Sequence, residues 1–128
     1  MKKTPAEKWK DSITKYRNKC KSVIKLSKNI RYVGVINDYG RTLTGIIKPN
    51  VKPLMKSSII KNELFIISTL ISLRKESTSV VCKLDYVLLR HQKISILIFQ
   101  KTNVTYYITI EKKEKNLDKI VESIKKII

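Results

Sequence analysis

The chain has little glycine and little proline, three of each in 128 residues, and carries two cysteines, one histidine and one tryptophan. Collagen-like, linker-like and low-complexity chains need far more glycine and proline and are excluded. Cys20 and Cys82 are too few and too far apart for a disulfide framework or a zinc knuckle, and read as small reduced apolar core residues. The spacings H-x-x-x-H, C-x-x-C and D-x-D-x-D-G are missing, as are the phosphate-cradling G-x-x-x-x-G-K and G-x-G-x-x-G. His91, in the turn RHQK, has Asp85 as its nearest acid in sequence and reads as a solvated turn residue. No metal, no cofactor and no enzyme activity are expected. Long apolar runs are missing too: the greasiest stretch, 58–73, contains Lys61, Asn62 and Glu63 and is too short and polar to span a bilayer. The basic opening MKKTPAEKWK has no apolar stretch after it, so no signal peptide is expected and the cytoplasm is the default compartment.

Acid is scarce: ten Asp and Glu stand against 28 Lys and Arg, a formal net charge of +18. Lysine supplies 23 of those cations and isoleucine another 20 positions, a usage that an AT-rich coding sequence tends to produce. Part of the charge therefore reads as compositional drift that keeps the surface soluble. It is nonetheless unevenly spread. Residues 1–31 hold eleven Lys and Arg against Glu7 and Asp11, half of the net charge in a quarter of the chain. A basic stripe on one helix is a footprint for nucleic acid or an acidic membrane. The candidate nucleic-acid patch is Lys8, Lys15, Arg17, Lys19, Lys21 and Lys25. With so little arginine for bidentate base contacts, such binding would be without sequence specificity.

Hydrophobic residues make up 42% of the chain, enough for a core in one domain spanning 1–128. Thr4-Pro5-x-Glu7 reads as a capping box with proline at the first helical position. Behind it Trp9, Ile13, Tyr16, Cys20, Val23 and Ile24 recur at helical spacing in a stripe roughly 100° wide. Trp9 is expected to pack, with a surface-exposed partner anchor as the alternative. The segment RYVGVINDYGRTLTGIIK (31–48) reads as a hairpin about Asn37-Asp38-Tyr39-Gly40, with Gly34 and Gly45 allowing a close approach or a bulge. After the proline-punctuated 49–53, period 3.6 predicts a helix over 57–75, capped by Ser57 or Ser58. Its apolar arc covers about half the circumference, and Glu63 projects toward that arc and needs a partner or the rim. Three strands are predicted at 79–90, 94–99 and 104–110, the first with Val80, Cys82, Leu84, Tyr86 and Leu88 on one apolar face. A helix closes the chain from Asn116, its N-cap, with Leu117, Ile120, Val121, Ile124, Ile127 and Ile128 in register. The order is α-β-β-α-β-β-β-α. Short hairpin loops make the five-stranded sheet mainly antiparallel, and three helices cover both of its faces in an α+β layer structure.

This order, with VGVINDYGRTLTGIIK (33–48) as its most specific stretch, resembles the roadblock (dynein light chain) family, a relative of longin and profilin-like folds. The segment IRYVGVINDYGRTLTGIIKPNVKPLM, followed by ISLRKE, is similar to an uncharacterised group of archaeal roadblock-like proteins. The resemblance implies a sheet ordered 2-1-5-4-3, with the first and last helices on one face and the middle helix on the other. It also implies a non-enzymatic scaffold or regulator of small GTPases that pairs through its middle helix and third strand. The chain departs from the family in how basic it is. The surplus apolar arc of the middle helix assigns a homodimer interface to Ile60, Leu64, Ile67 and Ile71, with Val80, Cys82, Leu84 and Tyr86 on the neighbouring strand. The alternative from a different class is the nucleic-acid-binding protein already described. A profilin-like small-molecule sensor is weaker, because large residues on the apolar faces leave no cavity lining. The tyrosines Tyr32, Tyr39, Tyr86, Tyr106 and Tyr107 read as core and interface aromatics rather than base-stacking platforms.

Overall fold

The computed structural model describes residues 2–53, 57–75 and 78–128. The first helix, α1 (Pro5–Ile24), starts where the capping box places it. The Glu7 amide donates to Thr4 Oγ1 at 3.2 Å, and the Thr4 amide donates to a Glu7 carboxylate oxygen at 3.3 Å. Strands β1 (Ile30–Asn37) and β2 (Thr42–Ile47) form the expected hairpin. Its turn is closed by Asn37 Oδ1, which accepts from the Tyr39 and Arg41 amides at 3.0 and 2.9 Å.

Helix α2 (Ser57–Lys75) follows; its expected capping by Ser57 or Ser58 lies outside the described side chains. Next come a four-residue helical turn, α3 (Thr78–Val81), then β3 (Val87–Arg90), β4 (Ile94–Lys101), β5 (Val104–Glu111) and α4 (Leu117–Ile127). Asn116 precedes α4, but its side chain makes no cap bond. Its carbonyl accepts from the Ile120 amide, and its own amide donates to Glu114.

The five strands form one antiparallel sheet in the order β2-β1-β5-β4-β3. Period-2 alternation splits their side chains between two cores. On one face Val33, Val35, Leu97, Phe99, Tyr106, Ile108 and Ile110 are covered by Cys20 and Val23 of α1 and by Ile120, Val121 and Ile124 of α4. On the other, Ile36, Ile94, Ile96, Ile98 and Tyr107 are covered by Leu64, Ile67 and Ile71 of α2. The fold class, the strand order and the placement of the helices are those expected from the sequence.

Two expectations fail. The strand predicted over 79–90 begins only at Val87. Residues 78–81 are helical instead, and Cys82, directly after them, adopts the left-handed conformation (φ 64°). Only Val87–Arg90 find partners on β4, and just before them Tyr86 stacks on Phe99 with ring centroids 5.5 Å apart. Period 2 over 80–88 therefore reflected composition rather than pairing. The second failure is Trp9. The sheet ends beneath the middle of α1, so the helix's first two turns project past it and Trp9 is 56% exposed.

Gly34 and Gly45 pair directly across β1 and β2, and the ring of Tyr32 lies over both. A Cβ at either position would stand 2.4–2.5 Å from the Tyr32 hydroxyl. The two glycines thus form the slot in which Tyr32 reaches Tyr107, edge to face at 6.4 Å. Just before β1, Glu114 ties the α1–β1 connection to the approach to α4. It accepts from Ser27 Oγ, from Asn29 Nδ2 at 3.3 Å and from the Asn116 amide at 3.2 Å. The Ser27 hydroxyl and the Asn116 amide do most to hold its carboxyl below the usual carboxylate range.

Gly34→Ala should cost about 1–3 kcal/mol in denaturant unfolding, because the Tyr32 ring must swing out. In a Tyr32→Ala background the same change should cost measurably less; equal costs in both backgrounds would disprove the slot. Glu114 has a depressed pKa, so its contribution is complete above the unfolded value near 4.3 and is lost as pH falls through the lower folded value. Glu114→Gln should cost about 1 kcal/mol at pH 7. That difference from wild type should vanish at low pH in parallel unfolding titrations.

Candidate interaction surface

Both sides of α2 are aliphatic. Ile60, Leu64, Ile67 and Ile71 recur at steps of 4, 3 and 4 and form one stripe. Leu64, Ile67 and Ile71 are buried on the sheet and Ile60 is half-buried beside them. These are the four residues that the sequence assigned to a surface between two chains; the structure turns them into the chain's own core. A second stripe is left outward: Ile59, Ile66, Leu70 and Leu73 are between 47% and 69% exposed, and Phe65, on the other flank, is 70% exposed. A soluble helix of this length normally sets charged or polar groups there.

The remaining candidate interface residues divide in the same way. Val80 and Val81, in α3, are exposed, as are Cys82 and Leu84 in the irregular stretch that follows, so Cys82 is not the core residue expected: its segment leaves the sheet. Tyr86 is half-buried against Phe99, with the Lys125 ammonium 5.7 Å from its ring centroid. β3 is a sheet edge, paired with β4 alone. Glu63 sits between the two stripes of α2. One of its carboxylate oxygens and the Tyr107 hydroxyl are buried without a hydrogen-bond partner among the described residues. Burial, then the Glu63 charge, push the Tyr107 hydroxyl well above the ordinary tyrosine range.

The candidate basic patch is exposed along α1, at Lys8, Lys15, Arg17, Lys21 and Lys25, with Lys19 half-buried. Arg17 is engaged within the fold, donating to Thr44 Oγ1 and the Gly45 carbonyl at 3.3 and 3.4 Å. Lys15 and Lys19 are joined by Lys101 at the end of β4, a neighbour that helical spacing alone could not supply. Burial lowers the Lys19 pKa, and repulsion from Lys15 and Lys101 lowers it further.

A cleft of about 410 Å³ lies at this end of the sheet, lined in part by Lys83, Phe99, Lys101 and Lys125. Its one acid, Asp85, is bound by Lys125 at 2.7 Å. His91 is exposed in the β3–β4 turn. Cys20 is buried, which pushes its thiol up to about 11. Among the described residues no three His, Cys, Asp or Glu side chains come together where they could hold a metal ion. Nor is any described helix long and apolar enough to cross a membrane. What the surface offers is an apolar helix face, an open strand edge and dispersed positive charge.

No protein-family model and no curated protein matches the sequence. Solved structures match the fold. The gliding protein MglB from Thermus thermophilus superposes with a TM-score of 0.64 at 6% identity, over 90% of this chain and 89% of that one. An MglB structure with a tetrameric arrangement gives 0.64 at 6%, over 90% and 88%. A Roadblock/LC7 domain from Streptomyces avermitilis gives 0.54 at 8%, over 84% and 92%. The fold is that of roadblock/LC7 proteins.

The two sides of α2 should separate cleanly by mutation. Ile67→Ala should destabilise the chain by about 2–4 kcal/mol. Ile66→Ala, one residue along, should change the unfolding free energy measured at low protein concentration by no more than about 0.5 kcal/mol. Equal losses would mean that α2 is rotated from the orientation described.

Proposed function

We propose that this chain, residues 1–128 as one roadblock-like domain, is a non-catalytic regulatory interaction module that works as a homodimer. The observation that carries the reading is the outward stripe of α2, Ile59, Ile66, Leu70 and Leu73, left in water beside an unpaired β3 edge. Exposed aliphatic rows of this kind mark interaction sites, and an open strand edge is a template for pairing. A two-fold axis beside α2 and β3 would set helix against helix and strand against strand, removing both liabilities in one isologous contact. The tetrameric arrangement of one MglB structure supports self-association as a habit of the fold.

The resemblance supplies the rest of the reading: a cytoplasmic scaffold, close to archaeal roadblock-like proteins, whose protein partner is a small GTPase. A paired sheet would give that partner a broad, rigid platform.

Light scattering at micromolar concentration should give about twice the 14.9 kDa chain mass. Ile66→Asp with Leu70→Asp changes exposed side chains, so the chain should stay folded by circular dichroism. In the dimer those carboxylates would be buried unpaired, and the mass should fall to that of one chain. A wild type that remains monomeric would defeat the reading. A small GTPase from the same cell should co-elute with wild type, and loss of that co-elution in the monomeric variant would tie partner binding to the dimer.

A further inference from the structure

The start of α1 has no place in the module just described. Residues 2–12 are all exposed, because the sheet beneath the helix ends short of them. At about 100° per residue, Pro5, Ala6, Trp9 and Ile13 continue the face that holds Tyr16, Cys20 and Val23 in the core. That face emerges from the fold still apolar, with Trp9 56% exposed. Lys8 and Lys10 stand about 100° to either side of Trp9, and the two acids of this segment, Glu7 and Asp11, lie on the reverse. Both acids are also occupied: Glu7 in the capping box and Asp11 by Lys3.

The surroundings have the same character. α1 packs on β1 and β2 and runs back along them, so the β1–β2 turn returns to the end from which α1 projects. That turn sets out Tyr39, 88% exposed. Lys15 and Lys19 extend the basic flank toward Lys101 at the same end of the sheet.

We infer that the projecting start of α1, with Trp9 at its centre and lysines on both flanks, is a docking site for an anionic phospholipid surface. A tryptophan ring is at home at the depth of lipid headgroups, where its apolar body and its N–H are both satisfied. Lysines about 100° away can lay their methylene stems along the bilayer and raise their ammonium groups to the phosphates. Acids on the reverse face are carried away from the negative surface. A nucleic-acid surface would have no use for the apolar row, and it favours arginine where this helix offers lysine. With one short row of apolar residues, attachment is reversible and leans on charge, so added salt releases it.

The test uses the full chain with vesicles of phosphatidylcholine, neutral or carrying about 30% phosphatidylserine, at roughly 100 mM salt. The protein should sediment with the anionic vesicles and not with the neutral ones. Trp9 is the sole tryptophan, so its emission should shift to the blue and its quenching by acrylamide should fall on binding. Lys8→Glu with Lys10→Glu and Lys15→Glu should cut partitioning at least about 100-fold, and Trp9→Ala about 10-fold. Lys113→Glu with Lys115→Glu and Lys119→Glu makes the same change of net charge at the far end of the sheet. That control should lose no more than about 3-fold, since distant charges are screened. All six lysines are solvent-facing, and a melting curve for each variant verifies folding. The inference fails if anionic vesicles do not bind the protein, if both triple variants lose equally, or if Trp9 stays fully quenchable in the bound state. It also fails if duplex DNA at matched phosphate concentration binds more tightly through the same three lysines. None of these readings depends on the oligomeric state, so the dimer and the docking site stand or fall separately.

Discussion

A strand buried on both faces forces a layer onto each side of it, and β5 is that strand. Every residue from Val104 to Ile110 is buried. Its backbone is satisfied by β1 on one side and β4 on the other. Its side chains then demand two separate covers. Tyr106, Ile108 and Ile110 need one core, which α1 and α4 supply from opposite ends of the chain. Tyr107 needs another, which α2 supplies from the middle. Thr105 and Thr109 share the face of Tyr107, where a thin aliphatic layer and one helix suffice. The chain order follows from this: the last strand inserts between the first hairpin and the β3–β4 pair, so no cover can be complete until β5 is in place.

The architecture was legible because its signals are local and redundant. The Thr4–Glu7 box, the Asn37 turn and the spacing from Leu117 to Ile128 each specify one element without reference to the others. Alternation in 94–99 and 104–110 then leaves few ways to stack them. The failures come where local pattern and tertiary supply part company. Val80, Cys82, Leu84, Tyr86 and Leu88 alternate as a strand should, yet only Val87–Arg90 pair with β4, and Cys82 takes a left-handed turn before pairing begins. Trp9 belongs by spacing to a buried stripe, but spacing does not say where the sheet beneath stops.

The middle helix shows a different limit. A full half-circle of aliphatics announces two contacts without saying which half meets the sheet. The inner row runs unbroken at 4, 3 and 4, while the outer row is interrupted around Asn62 and Glu63; that was the available clue, and it is weak against eight near-identical side chains. By its position Glu63 needs a partner or the rim, and its buried oxygen near the Tyr107 hydroxyl is the polar seam between the two rows. Charge was harder still. The excess of lysine is evident from composition, but the meeting of Lys15, Lys19 and Lys101 depends on how α1 crosses the end of the sheet.

The two cysteines, so uninformative as sequence, are placed to time the opening of the molecule. Cys82 is exposed, whereas Cys20 is sealed between α1 and the sheet with its thiol held protonated. A thiol reagent therefore meets one sulfur at once and the other only when α1 lifts away from the sheet. The slow label reports the frequency of that single detachment, with the fast one as its internal standard. The first helix of this chain thus carries its own clock.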